Sequence, residues 1–346
     1  MRSSIRFLSP SEAAKWLGVS TKALRLYEQR GLVAPGRTAA GWRAYSPEQM
    51  AQAAEIVALR RLGLSLAQIA RALEGDPEGL EPALAAHQAA LEGRIRELIG
   101  TVDKIRGVRA DLVRGQTPAP GELARLLKPT PELNVTFELP WPWGGEQFEL
   151  NDIRSLNYIT GPLGSGKTKL ALRLAETLPD AAFLGLERLA EDGGAAARAR
   201  YDADPALKSR VDQILSWLVD EGAVVSDALV ALIVGLEAER SAILVVDMVE
   251  QGLDQATQEA LSVHLRQRGG SGGCPLFLLT RSSAILDLSA VDSDEAIILC
   301  PANHSPPIRV APYPGAPGYE AVATCLASPE VRARTEGVVA WRPDVA

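Results

Sequence analysis

Residues 159–175 read ITGPLGSGKTKLALRLA, and this stretch decides the fold of the larger part of the chain. Gly161, Pro162, Leu163, Gly164, Ser165, Gly166, Lys167 and Thr168 satisfy the spacing GxxxxGK[ST] without a mismatch. The context fits as well. Residues 156–160 (LNYIT) read as a strand and residues 169–175 (KLALRLA) as a helix. Backbone N–H groups of such a loop and of the helix start can cradle anionic oxygens. Lys167 would bring its ammonium to the β and γ phosphates of a nucleoside triphosphate, and Thr168 would ligate Mg²⁺. A glycine-rich turn without a ligand is the plain alternative. The Lys-Thr pair between a strand and a helix argues against it.

Downstream, residues 242–247 (AILVVD) form an apolar run ending in a carboxylate. Such runs are buried parallel strands whose C-terminal ends carry the chemistry, so Asp247 is the candidate second Mg²⁺ ligand. Two further runs, PLFLLT at 275–280 and EAIILC at 295–300, complete the expectation of an α/β domain with a mainly parallel sheet. Between the nucleotide elements, residues 193–197 look loose. Residues 206–239 look helical, with Leu215, Leu218 and Val219 on one face, and would serve as a lid, a dimer surface or a plain insert. The Pro-rich tract 301–324 reads as irregular edge structure leading into a short final strand.

The front of the chain has a different character. The formal net charge is -7, yet residues 1–75 hold eleven Lys and Arg against five Asp and Glu. That surplus of +6 leaves -13 for the remainder. A basic module ahead of an acidic body suits a DNA-binding domain. Ser9 or Ser11 would cap a helix that Gly18 ends; Ser20 would open a second helix that stops at Gly31. Two short helices around a tight turn make a helix-turn-helix, with Leu24 inward and Thr21, Lys22 and Arg25 towards a groove. Residues 32–50 contain two turns, at Pro35-Gly36 and Ala40-Gly41, flanking short extended pieces that carry Arg37, Arg43 and Tyr45. Trp42 and Tyr45 have a structural alternative, completing a small core. Ser46-Pro47 starts a third helix, and SLAQIARAL forms a fourth.

Residues 9–73 resemble the DNA-binding domain of the MerR family of bacterial transcription regulators. The resemblance is carried by the Ala13-Ala14 region, GVSTKALRLYE, GLVAPGR, GWRAYSPEQM and LRRLGLSLAQIARAL. It implies a winged helix-turn-helix whose recognition helix is 20–29. The implied DNA contacts are Thr21, Lys22, Arg25 and Tyr27, with Arg43 on the wing and Tyr45 beside it; Arg37, read from the hairpin itself, is a further candidate. Leu26 and Trp42 depart mildly from the family pattern.

Segment 78–114 has Leu84, Leu91, Leu98, Ile105 and Leu112 seven apart, with Ile95 and Val102 on the intervening track, which Gln88 and Arg109 interrupt. That is a heptad seam which a second copy would bury, although packing on the chain's own second domain is open. The MerR resemblance likewise implies an antiparallel dimerisation helix, hence a homodimer on double-stranded promoter DNA with an inverted repeat, close to RNA polymerase. The expected organisation is a winged helix-turn-helix at 1–75, a dimerisation helix at 76–114, a linker at 115–132 and a P-loop domain at 133–346.

Asp247 to Asp254 (DMVEQGLD) resembles the region after the Mg²⁺ strand in ABC-type ATPases, with Leu253-Asp254 as the matching final pair. Residues 148–168 resemble the ABC approach to the loop, and PLFLLT falls where the strand before the switch histidine falls. The departures are chemical. Met248 takes the position of the catalytic glutamate, and a thioether cannot polarise water. Arg281 takes the place of the switch histidine, and no LSGGQ signature is present. Glu250 and Arg281 are the remaining candidates for catalysis or phosphate contact. Trp141 or Trp143 could stack on adenine, or else cover a sheet edge.

The scattered Cys274, Cys300, Cys325, His87, His264 and His304 suggest neither a zinc site nor a disulfide framework. The sequence has no 18-residue charge-free apolar run and no signal-peptide core, so a bacterial cytoplasmic protein without a membrane partner is expected. Together these features predict a regulator modulated by ATP with Mg²⁺, at most a weak ATPase. The rivals are a DNA-tethered ATPase or small-molecule kinase, and a degenerate nucleotide fold that senses another effector.

Overall fold

The computed structural model describes residues 7–38, 41–75, 80–114, 134–238, 243–270, 274–292, 294–329 and 331. It divides into two units, Met1–Asn134 and Val135–Ala346. The linker expected at 115–132 lies outside the described residues.

In the first unit, local chemistry sets the helix ends. Ser9 caps α1 (Pro10–Leu17) in a reciprocal box with Glu12, and Gly18 closes it at φ 67°. Ser20 caps α2 (Thr21–Gln29), accepting from the Ala23 N–H. The hairpin β1 (Gly36–Arg37) and β2 (Arg43–Ala44) is antiparallel. Ser46 and Ser65 form boxes at the starts of α3 (Pro47–Arg61) and α4 (Leu66–Leu73). Leu24, Ile56, Leu64 and Ile69 centre the core. The helix α5 (Leu80–Val113) runs 34 residues. Its first turns reach that core through Leu80 and Ala83. Beyond them Leu84, Leu91, Ile95, Val102 and Leu112 of the seam are exposed. Ile105 is half-buried, and the side chain of Leu98 lies outside the described residues.

The second unit opens with the antiparallel pair β3 (Val135–Glu138) and β4 (Gln147–Leu150). Its main sheet contains β5 (Leu156–Thr160), β6 (Ala181–Leu184), β7 (Ile243–Val246), β8 (Leu276–Leu279), β9 (Glu295–Leu299) and β10 (Ile308–Val310). The order across it is β10-β9-β5-β8-β7-β6. The first five strands in chain order are parallel to their neighbours, and β10 closes one edge antiparallel to β9. Strands β7 and β8 are continuous apolar runs, and β5 is buried along its whole length with Asn157 and Thr160 in it, because both faces are covered. Helices α6 (Lys167–Thr177), α7 (Glu191–Ala203), α8 (Pro205–Asp220), α9 (Asp227–Ala238), α10 (Gln255–Gly270) and α11 (Tyr319–Cys325) complete the unit.

Three expectations are corrected. The loose stretch 193–197 belongs to α7, which Ala197 and Tyr201 anchor to the core. Val219 does not share a face with Leu215 and Leu218. The packed line of α8 runs Leu207, Val211, Ile214 and Leu218, which leaves Val219 exposed. The Pro-rich tract is not irregular throughout: it holds the strand β10 and, at its end, the helix α11 with Tyr319, Val322 and Leu326 packed at helical spacing, and the final strand expected after it is a lone bridge of Ala327 to Ser282.

Candidate functional site: the phosphate loop and its neighbours

The loop 161–166 leaves the C-terminal end of β5 and turns into α6. Its glycines are steric requirements. A Cβ on Gly161, at φ 151°, would lie 2.4 Å from the Cys300 carbonyl oxygen and 2.8 Å from Ser165 Oγ. A Cβ on Gly166, at φ 90°, would lie 2.6 Å from the Trp143 ring. The loop is therefore seated on the end of β9 and on the Pro142-Trp143 segment. Trp143 is 4% exposed, and its indole N–H donates to the Ser305 carbonyl at 3.0 Å. Enclosed in this way, Trp143 supports the loop instead of offering a stacking face. Trp141 is 79% exposed and does offer one. His304 Nε2 lies 3.1 Å from the Gly164 carbonyl oxygen and ties the loop from its other side.

Lys167 donates to the carbonyls of Gly161 at 2.9 Å and Pro162 at 2.7 Å. Burial, followed by the nearby Arg281 charge, pushes its ammonium below the ordinary lysine range. Thr168 Oγ1 donates to Asp247 Oδ2 at 3.0 Å. The sheet brings these two together across the intervening strand β8, although they stand far apart in sequence. Asp247 is buried, and its Oδ1 has no hydrogen-bond partner. Burial raises its pKa against the opposing pull of Thr168, Arg188 and Lys167. A loop closed to a Cβ at Gly161 and Gly166, an ammonium at its rim and a buried carboxylate oxygen without a partner form a donor set suited to a polyphosphate with a divalent cation.

Arg188 was missed by the sequence reading. Its guanidinium is buried and donates to the carbonyls of Gly185 at 2.7 Å, Asp247 at 2.9 Å and Met248 at 2.8 Å. Met248 sits at φ 46°, in the left-handed region. Arg188 thus fixes the backbone that aims Asp247. The one available signal was a basic residue just past the apolar strand 181–184. Glu250 is 2% exposed, and its Oε1 accepts the Arg281 N–H at 3.0 Å. Its carboxylate is thereby engaged in holding the start of the segment after β8. Arg281 lines a cavity with Pro162 and Leu163.

In the first unit, Thr21, Lys22 and Arg25 are exposed along α2. Tyr27 and Tyr45, expected at the DNA face, are instead core residues at 5% and 0% exposure. Tyr45 donates its hydroxyl to Glu28. Arg43 pairs with the same carboxylate at 3.1 Å, so Glu28 fastens the hairpin to α2. Arg37 donates to the Gly41 carbonyl at 3.0 Å and stabilises the hairpin turn. Trp42 projects into solvent, which rules out the core role considered for it.

The family model for MerR HTH family regulatory proteins matches residues 8–76. A probable heavy metal-dependent transcriptional regulator of Haemophilus influenzae is 37% identical over 103 residues, covering 28% of this chain and 80% of that protein. The chain belongs to the MerR family. The transcriptional regulator BrlR of Pseudomonas aeruginosa is 38% identical over 107 residues, or 28% of this chain and 39% of that protein. The nodulation protein NolA of Bradyrhizobium sp. (strain NC92) is 35% identical over 101 residues, 29% of this chain and 42% of that protein. The chain therefore spans well under half the length of those two regulators.

Among solved structures, the ADP form of an ATP-binding cassette of an ABC transporter aligns over 60% of this chain and 100% of its own. The identity is 13% and the TM-score 0.39. The SMC head domain from Thermotoga maritima aligns over 52% and 99%, at 12% identity and a TM-score of 0.37. The strand order and the loop geometry carry the assignment of the second unit as a P-loop fold. A MerR-type helix-turn-helix domain is thus joined in one chain to a structurally distinct P-loop domain. No helix among the described residues is long and apolar enough to cross a membrane.

Proposed function

We propose that this MerR-family member is a homodimeric transcription regulator whose promoter binding, or promoter distortion, is modulated by ATP or another nucleoside triphosphate at the P-loop. The observation that carries this reading is the Thr168–Asp247 pair, with its unpartnered Asp247 oxygen beside an intact loop, on the same chain as a DNA-binding domain. The N–H groups of 164–168 and the Lys167 ammonium would hold the phosphates; Thr168 and Asp247 would hold Mg²⁺. The metal, when bound, supplies charge neutralisation at the phosphates. Met248 in the position of a catalytic base, and Glu250 already engaged with the Arg281 N–H, favour a site that binds far better than it turns over.

On the DNA side, Thr21, Lys22 and Arg25 of the recognition helix and Arg43 of the wing are the contacts proposed for an inverted-repeat operator. The exposed seam of α5 would pair two copies, so that each places one recognition helix in the groove beside RNA polymerase.

The test is affinity for the upstream DNA of the protein's own gene, at fixed salt, with and without Mg-ATP. The expected result is a nucleotide-dependent shift in wild type that is lost in Lys167→Ala. Equal affinities in all four conditions would remove the coupling.

A further inference from the structure

A cavity of about 390 Å³ opens beside the phosphate loop, on the β9 flank of the sheet. Pro162, Leu163 and Leu299 give it apolar walls, α11 supplies Thr324 and Cys325, and Arg281 is its one charged group. None of Gly164, Ser165, Gly166, Lys167, Thr168 or Asp247 lines it; it shares with the phosphate cradle the outer shoulder of the loop and the charge of Arg281, which also bears on Lys167. Its size is that of a small-molecule site.

Arg281 is the unusual group. Its backbone N–H is spoken for by Glu250, but no carboxylate pairs with its guanidinium among the described residues. Its Nε is buried without a hydrogen-bond partner. A half-buried arginine whose Nε is buried and whose guanidinium meets no carboxylate lacks a counter-ion, and an anion is the natural complement. The remaining wall is largely hydrocarbon, which calls for an apolar body on that anion.

We infer that this cavity is a second ligand site, separate from the phosphate cradle, for a small organic acid whose carboxylate pairs with Arg281 and whose short apolar body lies against Leu163 and Leu299. Because Pro162 and Leu163 belong to both the cavity wall and the phosphate loop, occupancy would bias the loop and give the regulator a metabolite input in addition to the nucleotide. The site stands on its own residues and does not require nucleotide binding.

Cys325 provides the readout. It lines the cavity and is partly exposed, whereas Cys300 is buried and its thiol is pushed up to about 12 by burial. In full-length protein carrying Cys274→Ser to remove the exposed thiol, the alkylation rate of Cys325 by iodoacetamide is followed against hexanoate and, as uncharged control, hexanol. Hexanoate at about ten times its Kd should slow alkylation about tenfold. Hexanol should not. Arg281→Gln should abolish the protection, and Lys167→Ala should retain it even where nucleotide binding is lost. Should Arg281→Gln fail to fold, Thr324→Trp, an exposed position on the rim, fills the cavity and should abolish protection too. The inference is overturned by absent protection, by equal protection from hexanol, or by protection that survives either cavity variant. Protection lost in Lys167→Ala would return Arg281 to the nucleotide site.

Discussion

Asp247 shows how a single residue carries both a cost and a function. Burial raises its pKa, so the folded chain holds its proton more tightly than the unfolded chain does. Stability therefore falls as pH rises from the ordinary carboxylate value through the raised one, where the ionised group is left short of partners. Asp247→Asn should raise the midpoint of the ligand-free protein at neutral pH. Removing about 1 kcal/mol of unpaired-carboxylate penalty corresponds to a few degrees for a domain of this size. The same variant should lose Mg²⁺-dependent stabilisation by ATP. A thermal-shift series with and without Mg-ATP reads both effects, and a lower midpoint in the absence of ligand would contradict the cost. Met248 makes the complementary case. It follows β7 with its backbone held by Arg188, in the place where the ABC resemblance would put a general base. Met248→Glu should raise phosphate release by about a hundredfold, the lower end of what a positioned base contributes. Unchanged turnover would mean that the left-handed backbone at 248 aims the new carboxylate away from the site. At this scale the loop residues and Asp247 were legible, because the spacing of GxxxxGKT and an apolar run ending in an acid are written in the chain. Arg188 was not, since nothing local to residue 188 tells that it will reach the carbonyls of 247 and 248.

At the scale of elements, the capped helices and the long helix differ in what completes them. The helices α1 to α4 close on one another through Leu24, Ile56 and Ile69. The helix α5 leaves Leu91, Ile95 and Val102 about half exposed along its length. Burying a side chain of that size is worth about 1.5–3 kcal/mol, so a seam of them favours a partner helix strongly. Leu91→Asp combined with Val102→Asp should convert a dimer to a monomer in sedimentation, with the far-UV spectrum of the remaining helices kept. A dimer that survives both charges would place the interface elsewhere. Helix ends were readable in advance, because a Ser side chain accepting an N–H three residues on is a local event. The helix α7 was not readable. Its Gly193-Gly194 start has poor helix propensity, and contacts of Ala197 and Tyr201 with the core outweigh it. The turn to helix at 319–325 was obscured similarly. Tyr-Glu-Ala-Val-Ala-Thr alternates like a strand, but Tyr319 and Val322 meet the core three residues apart.

For the whole molecule, coupling between the two units has a thermodynamic signature independent of the path it takes. If nucleotide changes operator affinity by a given factor, operator must change nucleotide affinity by the same factor, and such factors usually lie between about 5 and 150. Fluorescent nucleotide titrations with and without operator duplex, at one salt concentration, should return the factor found by DNA titration. Unequal factors would show that the observed DNA effect has another source. The sequence by itself determined that a basic helix-turn-helix module precedes an acidic P-loop domain, because caps, heptads and the phosphate loop are short-range patterns of residue type. The tertiary structure decided the rest. It placed Thr168 against Asp247 across β8, turned Tyr27 and Tyr45 into the core, enclosed Trp143 beneath the loop and left Arg281 facing an apolar cavity without a counter-charge. These outcomes depend on which strands become neighbours and which faces they cover. That pairing follows from burying the apolar surface of the whole unit at once, and no local stretch of the chain records it.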